Sequence, residues 1–364
     1  MYDATAARLQ EAAAGGKRVR FRGGGTKLGW GAPVPKPDVE IETGDLGQIV
    51  EHNVGDLTAV VQAGVRLADL GAALAAEKQM LAIDPPLLDG ATVGGTLATA
   101  DSGPLRHRYG APRDLVLGMT VALSDGALAR SGGKVIKNVA GYDLPKLFTG
   151  SFGTLGMILE VAVRLHPLPP LTVTAVGESD DPDRVAAAAA ALTHSAIEAQ
   201  CLDVRWDGGR GAVLVQLAGA EAAGQAEEAV ALLASEGTEA RAVEDDAALW
   251  DEQRERQRSP AGIVVRVSGL QTQLADQIAA AERLGGSLVA RAAHGVAWTR
   301  LASADAVDEL RRALAPSPCV VLDGDHPDPW GIEAAAPAVD LMRRVKERFD
   351  PARACSPGVF VGGI

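Results

Sequence analysis

The stretch "IDPPLLDGATVGGTLATADSG", Ile83 to Gly103, decides the reading of this chain. Two prolines, Pro85 and Pro86, lead into Gly90, Ala91, Thr92, Gly94 and Gly95, and Gly103 closes it. Small residues at Ala91, Gly94, Gly95, Thr96, Ala98 and Ala100 leave room for a bulky group to lie against backbone. A close-packed turn and helix would use the same residues. Two further stretches of this kind flank it. "VRFRGGGTKLGWG" (Val19–Gly31) is a short strand running into three consecutive glycines. Consecutive amides there can form an anion nest, to which Lys27 adds charge; a tight, ligand-free turn is the competing reading. "KNVAGYDLPKLFTGSFGTLGMI" (Lys137–Ile158) spaces Gly150, Gly153 and Gly156 by three, which breaks a helix but suits a loop wrapped round a ligand. Three small-residue walls in one domain point to one extended ligand that touches backbone in several places.

Familiar phosphate motifs do not describe these loops. Gly23 and Gly25 begin a Gly-x-Gly-x-x-Gly pattern, but Leu28 occupies its third position. Gly16-Lys17 and Gly133-Lys134 lack the upstream glycine and the following Ser/Thr of an ATP loop. A plain Rossmann dehydrogenase and a P-loop ATPase are both disfavoured.

Bulk properties bound the rest. The 364 residues suffice for two domains. A hydrophobic fraction of 47% and a charged fraction of 23% are ordinary for a globular protein. A net charge of −12 argues against a nucleic-acid surface. Cys201, Cys319 and Cys355 are far apart with no CxxC pair, so an iron–sulfur or zinc site within the chain is not expected. The N-terminal "MYDATAARLQEAAAGG" reads as an amphipathic helix without a signal-peptide core. No apolar run approaches the roughly 20 residues of a membrane span. These features read as cytoplasmic, with membrane association only through partners.

Short strands and glycine turns fill the chain to about Leu168. "RLADLGAALAAEKQ" puts Leu67, Leu70 and Leu74 on one helical face. "DLVLGMTVALSDGAL" reads as two strand segments broken at Gly118. A proline-rich link, His166 to Pro170, is the best domain boundary. Beyond it, strands and helices alternate as two rounds of roughly βαββαβ, a split-βαβ pattern in duplicate. The alanine runs there read as helix. A final helix is followed by a Pro/Gly tail.

"RGGGTK", "PPLLDGATVGGTLATADSG", "RYGAPRDLVLGMTVALSDG" and "GYDLPKLFTGSFGTLGMI" together resemble the flavin domain of the vanillyl-alcohol oxidase / p-cresol methylhydroxylase (PCMH) superfamily. They span nearly all of residues 17–168 in the same order. Within the superfamily, "GGKVIKNVAGYDLPKLFTGSFGTLGMILEV" is most similar to the FAD-binding E subunits of bacterial glycolate oxidase (glycolate dehydrogenase). The tail departs from that pattern with Ser356 where asparagine is usual.

The resemblance implies an α+β fold. A PCMH-type FAD-binding domain of two α/β subdomains would occupy residues 1–168 and a ferredoxin-like α+β cap residues 169–335. A C-terminal helix and tail, 336–364, would pack back towards the FAD domain. It also implies a cofactor site. Gly23, Gly24, Gly25, Thr26 and Lys27 would wrap the FAD pyrophosphate through backbone N–H groups. Ala91, Thr92, Gly94, Gly95 and Ala98 would form a second wall, continued by Gly103 and Gly110. Gly153, Gly156 and Ile158 would hold the adenosine or the flavin edge. The first loop has no histidine for covalent attachment, so noncovalent FAD is expected. A bulky residue at Gly24 would be expected to harm FAD binding more than folding.

Catalytic residues are less legible. Arg108 and Tyr109 are candidates for the substrate side of the flavin, and His294 for a base; Tyr142 and Lys137 fit packing or catalysis equally. The metal-binding "HPxGDGNxH" type motif of related D-2-hydroxy-acid dehydrogenases is missing. "DGDHPDPWG" (Asp323–Gly331) echoes it with His326, Asp323 and Asp325, but reads more readily as an acidic turn, and no metal is expected. His52, His107, His166 and His194 are assigned no role. Three functions stay open. The first is a flavoprotein subunit of a glycolate-oxidising complex, working with a catalytic FAD subunit and an iron–sulfur subunit. The second is a self-sufficient FAD-dependent D-2-hydroxy-acid dehydrogenase, and the third a non-catalytic assembly subunit that retains flavin. The missing metal motif and the absent cysteine clusters favour the first.

Overall fold

The computed structural model describes residues 1–135, 142–259, 261–332 and 336–364. Backbone contacts divide the chain into two units. One comprises Met1–Ser102, Tyr109–Leu168 and Ile332–Ile364; the other comprises Gly103–Arg108 and Pro169–Gly331.

The first unit opens with α1 (Tyr2–Ala14), whose Ala6, Leu9 and Ala13 recur at helical spacing and are buried. Next come β1 (Val19–Arg22) and β2 (Val39–Glu42), which pair in parallel. β3 (Ile49–Asn53) and β4 (Thr58–Gln62) follow, then α2 (Leu67–Ala75), which buries Leu67, Leu70 and Leu74 as its periodicity requires. β5 (Gln79–Met80) precedes α3 (Val93–Thr99), α4 (Arg106–Tyr109) and α5 (Pro112–Leu115). β6 (Val116–Ala122), β7 (Leu128–Gly132), α6 (Pro145–Phe148), β8 (Met157–Arg164) and the short β9 (His166–Pro167) complete this stretch. A five-stranded sheet runs in the order β3-β4-β8-β6-β7, and β5 pairs with β9. The sequence expectation at Gly118 needs correction. β6 runs through it as one strand, with a register shift between Val116 and Gly118. Gly118 serves a close approach, since a Cβ there would stand 2.8 Å from the Gly133 backbone.

The second unit contains two βαββαβ rounds. The first is β10 (Thr172–Ser179), α7 (Pro182–His194), β11 (Cys201–Asp207), β12 (Arg210–Ala218), α8 (Ala222–Ser235) and β13 (Glu239–Val243). α9 (Ala247–Glu255) links it to β14 (Ile263–Ser268), α10 (Leu274–Arg283), β15 (Ser287–Arg291), β16 (Val296–Leu301), α11 (Ala304–Leu314) and β17 (Cys319–Asp323). The strands form one eight-stranded sheet, β13-β10-β12-β11-β15-β16-β14-β17. Each half has the split-βαβ order, and the halves join where β11 pairs antiparallel with β15. Strand alternation assigns the two faces. Leu202, Val204, Val213, Val215, Val265 and Val267 share one core with α7, α8, α10 and α11. Cys201, Leu214 and Val176 pack on Trp250 of α9. The alanines of α7, Ala188 and Ala189, are fully packed in that first core. α12 (Pro337–Phe349) and the tail belong to the first unit.

Candidate cofactor-binding site

β1 delivers the chain directly into the first glycine loop. The parallel β1–β2 pair fixes where that loop starts: Arg22 pairs with Glu42 at its end. α3 is anchored at its start by Thr92, whose hydroxyl accepts from the Gly95 amide at 3.3 Å. Ala100 ends it in a left-handed conformation. The third loop is turned by Phe152 and Gly153, both at positive φ.

These three loops converge on one cleft of about 900 Å³ including its open mouth. Among the sequence-predicted residues, Gly23, Gly24, Gly25, Thr26 and Lys27 line it from the first loop. Thr92, Gly94, Gly95 and Ala98 line it from α3, and Gly153, Gly156 and Ile158 from the third loop and β8. Glycines carry no side chain, so at those positions the walls present backbone.

The glycines also pack the loops against one another. A Cβ at Gly24 would stand 1.6 Å from the Gly90 carbonyl oxygen, and one at Gly94 would stand 2.6 Å from the Ala63 Cβ. Gly24 therefore cannot carry a side chain whether or not a ligand is present. The expectation that a bulky residue there harms FAD binding more than folding therefore meets a backbone clash within the fold itself.

Charge at the cleft is largely compensated. The Lys27 ammonium lies 3.1 Å from the Asp101 carboxylate, and both side chains are almost fully buried. It also lies 5.9 Å from the Trp30 ring centroid. Arg20 donates from Nε to Glu40 Oε2 at 2.9 Å.

Several lining residues escaped the sequence reading as site residues: Phe21, Trp30, Thr43, Phe152, Met157 and Val359 among them. Phe21 was accessible from the alternation in "VRFR", which places it on one face with Val19. Thr43 and Val359 carry no local signal. Ser356, which the sequence marked only as a departure, lines the cleft as well.

Other candidates stand elsewhere. Ala91 is buried behind the first loop, its Cα 3.6 Å from a Cβ built on Gly24. Gly103 groups with the second unit, and Gly110 sits at φ +85° against Asp114. None of these three is among the cleft-lining residues. Arg108, Tyr109 and His294 are not among them either. Arg108 pairs with Glu198 at 3.3 Å, and Tyr109 packs on His166 with ring centroids 4.5 Å apart. His294 meets His107 edge to face at 5.7 Å. Burial, then the neighbouring His294 and Arg108, lowers His107 to about 4. Burial, then Arg106 and Arg291, lowers His294 as well. Tyr142 is exposed, and Lys137 lies outside the described residues.

The "DGDHPDPWG" segment is a packed turn. His326 Nδ1 lies 2.8 Å from the Asp328 carbonyl oxygen and its Nε2 lies 3.5 Å from Asp308. Asp323 accepts from Arg258. No cluster of three metal-ligating side chains occurs among the described residues.

Comparison with known proteins bears on the cofactor. Residues 2–132 match the family described as FAD binding domain, and that segment supplies the first loop and α3. That segment is similar to FAD-binding domains. FAD is the cofactor. Over 149 residues the chain is 40% identical to glycolate oxidase subunit GlcD of Bacillus subtilis, covering 41% of this chain and 32% of the relative. It is 38% identical over 152 residues to glycolate oxidase subunit GlcE of Escherichia coli, covering 41% and 42%. A D-lactate dehydrogenase of Archaeoglobus fulgidus is 38% identical over 160 residues, covering 43% and 35%. The matches thus span less than half the length of these relatives. By structure, the chain resembles an alkyldihydroxyacetonephosphate synthase with a TM-score of 0.74 and 16% identity, over 97% of this chain and 74% of that one. That likeness extends the α+β fold beyond the FAD-binding domain to nearly the whole chain. No described helix is long and apolar enough to cross a membrane.

Proposed function

We propose that this chain is the flavoprotein subunit of a complex that oxidises a small 2-hydroxy acid, glycolate foremost, and passes the electrons to an iron–sulfur partner. The observation that carries this is the convergence of three sequence-distant glycine loops on one cleft, two of them in the FAD-binding segment. Similarity to two glycolate oxidase subunits supports the substrate class.

In this reading the backbone of Gly23–Lys27 and of Thr92–Gly95 holds the pyrophosphate, because both local cations already face carboxylates. Gly153, Gly156 and Ile158 hold the remaining length. FAD is held noncovalently; no histidine is among the described cleft-lining residues. When bound, FAD supplies a two-electron acceptor for hydride removed from the hydroxy acid. The three free cysteines are buried and separate, so the one-electron relay lies in a partner.

The test is anaerobic titration of the purified holoprotein with glycolate and with D-lactate. Bleaching of the flavin absorption only when partner subunits are present supports this function. Bleaching by the chain alone supports a self-sufficient dehydrogenase, a reading to which the D-lactate dehydrogenase relative lends weight. Protein that stays colourless after incubation with FAD overturns both.

A further inference from the structure

The cleft has a wall made by the far C-terminus. Ser356 and Val359 line it beside Gly153 and Phe21. The tail is inserted between the other walls. Val19 of β1 donates to the Ala354 carbonyl and accepts from the Ser356 amide, both at 2.8 Å. Ala32, just past the first loop, donates to the Val359 carbonyl at 2.8 Å. Gly31 passes so close that a Cβ there would stand 2.6 Å from the Val359 carbonyl oxygen. Phe360 packs on Phe152 of the third loop with centroids 5.6 Å apart.

One buried pair ties this insertion together. Lys346 on α12 is 5% exposed, unusual for a lysine. Its ammonium donates to three oxygens: Thr154 carbonyl at 2.6 Å, Asp350 Oδ2 at 2.6 Å and Cys355 carbonyl at 2.8 Å. Asp350 is fully buried and also accepts from the amides of Ala354 and Cys355. Thr154 lies between two cleft-lining glycines, and Cys355 immediately precedes cleft-lining Ser356. A lysine whose three protons all go to buried acceptors is fixed in place. Its charge joins α12, the third loop and the tail at one point.

We infer that Lys346 and Asp350 are positioning residues for the cofactor: they hold the C-terminal tail as a wall of the cleft, so that residues 346–359 set FAD affinity. This rests on FAD occupying the cleft, as proposed above. Neither residue lines the cleft, so each acts through Thr154, Cys355 and Ser356.

The first experiment uses the unmodified chain and follows amide hydrogen exchange of the apo and FAD-loaded forms. FAD is expected to slow exchange at least tenfold both at Gly23–Lys27 and at Cys355–Val359. Protection of the glycine loop with an unaltered tail overturns the inference while leaving FAD in the cleft. Protection of neither segment removes the cleft assignment itself. A second experiment compares variants by FAD binding, read as flavin fluorescence quenching, and by apo-protein unfolding. Ser356→Trp, which puts bulk on the wall, should weaken FAD binding at least tenfold in protein whose apo form still unfolds cooperatively. Lys346→Met should weaken binding and also abolish tail protection while the glycine loop stays protected. Wild-type affinity in S356W, or wild-type tail protection in K346M, overturns the proposal.

Discussion

Lys27 shows how a residue's type can be legible while its role is not. Its place behind three glycines suggests a cation for phosphate, yet its ammonium faces Asp101 in a nearly dry setting. Lys27→Met leaves a buried carboxylate without that cation and should cost about 3–5 kcal/mol in denaturant unfolding. Because Lys27 and Arg20 both face carboxylates, FAD affinity should change only a few-fold between low and high salt, measured by fluorescence titration. Gly24 and Ala98 separate packing from binding. Gly24→Val meets the Gly90 carbonyl and should lower apo stability by about 1–3 kcal/mol together with FAD uptake. Ala98→Leu projects from a cleft-lining position and should lower FAD uptake with little change in apo unfolding. His107 gives a pH signature. Its folded value of about 4 lies below the ordinary histidine value, so between about pH 6.5 and 4 the unfolded chain takes up a proton that the folded chain resists. Stability contributed by neutral His107 is therefore present above pH 6.5 and is lost as pH falls through that window. His107→Gln should reduce this acid loss by roughly 1–2 kcal/mol, a value discounted for the ring's partial exposure. Unfolding free energies at several pH values read this directly.

At the scale of elements, the periodic signals held because each reports a single surface. Leu67, Leu70 and Leu74 define one helix face without regard to what covers it. The α7 start was equally clear: Asp181 accepts from the Asp183 and Arg184 amides, and Pro182 opens the first turn. Asp181→Ala should destabilise by about 0.5–2 kcal/mol in urea unfolding. Gly118 misleads for a related reason. Glycine punctuates turns in sequence, but here it sits inside β6 because the Gly133 backbone passes too near for a Cβ. That neighbour is 15 residues away and leaves no local mark. The split-βαβ alternation was readable twice over. The joining of its two halves through β11 and β15 was not, because edge pairing is set by complementary register between distant strands.

For the whole molecule, the glycine loops and the two helix–strand textures were determined by the sequence alone, whereas FAD came in through the resemblance those loops carry to a known superfamily. Each depends on residue types at short spacing, where backbone freedom and side-chain period act locally. The tertiary structure decided what closes the site. Ser356 and Val359 line the cleft, and the tail that carries them is bonded to β1, to Ala32 and, through Lys346, to Thr154 across 192 residues. It also decided which groups face each other, setting Lys27 against Asp101 and the His107 ring against His294. Ion pairing and desolvation depend on what arrives from elsewhere in the chain, and no spacing rule encodes that arrival.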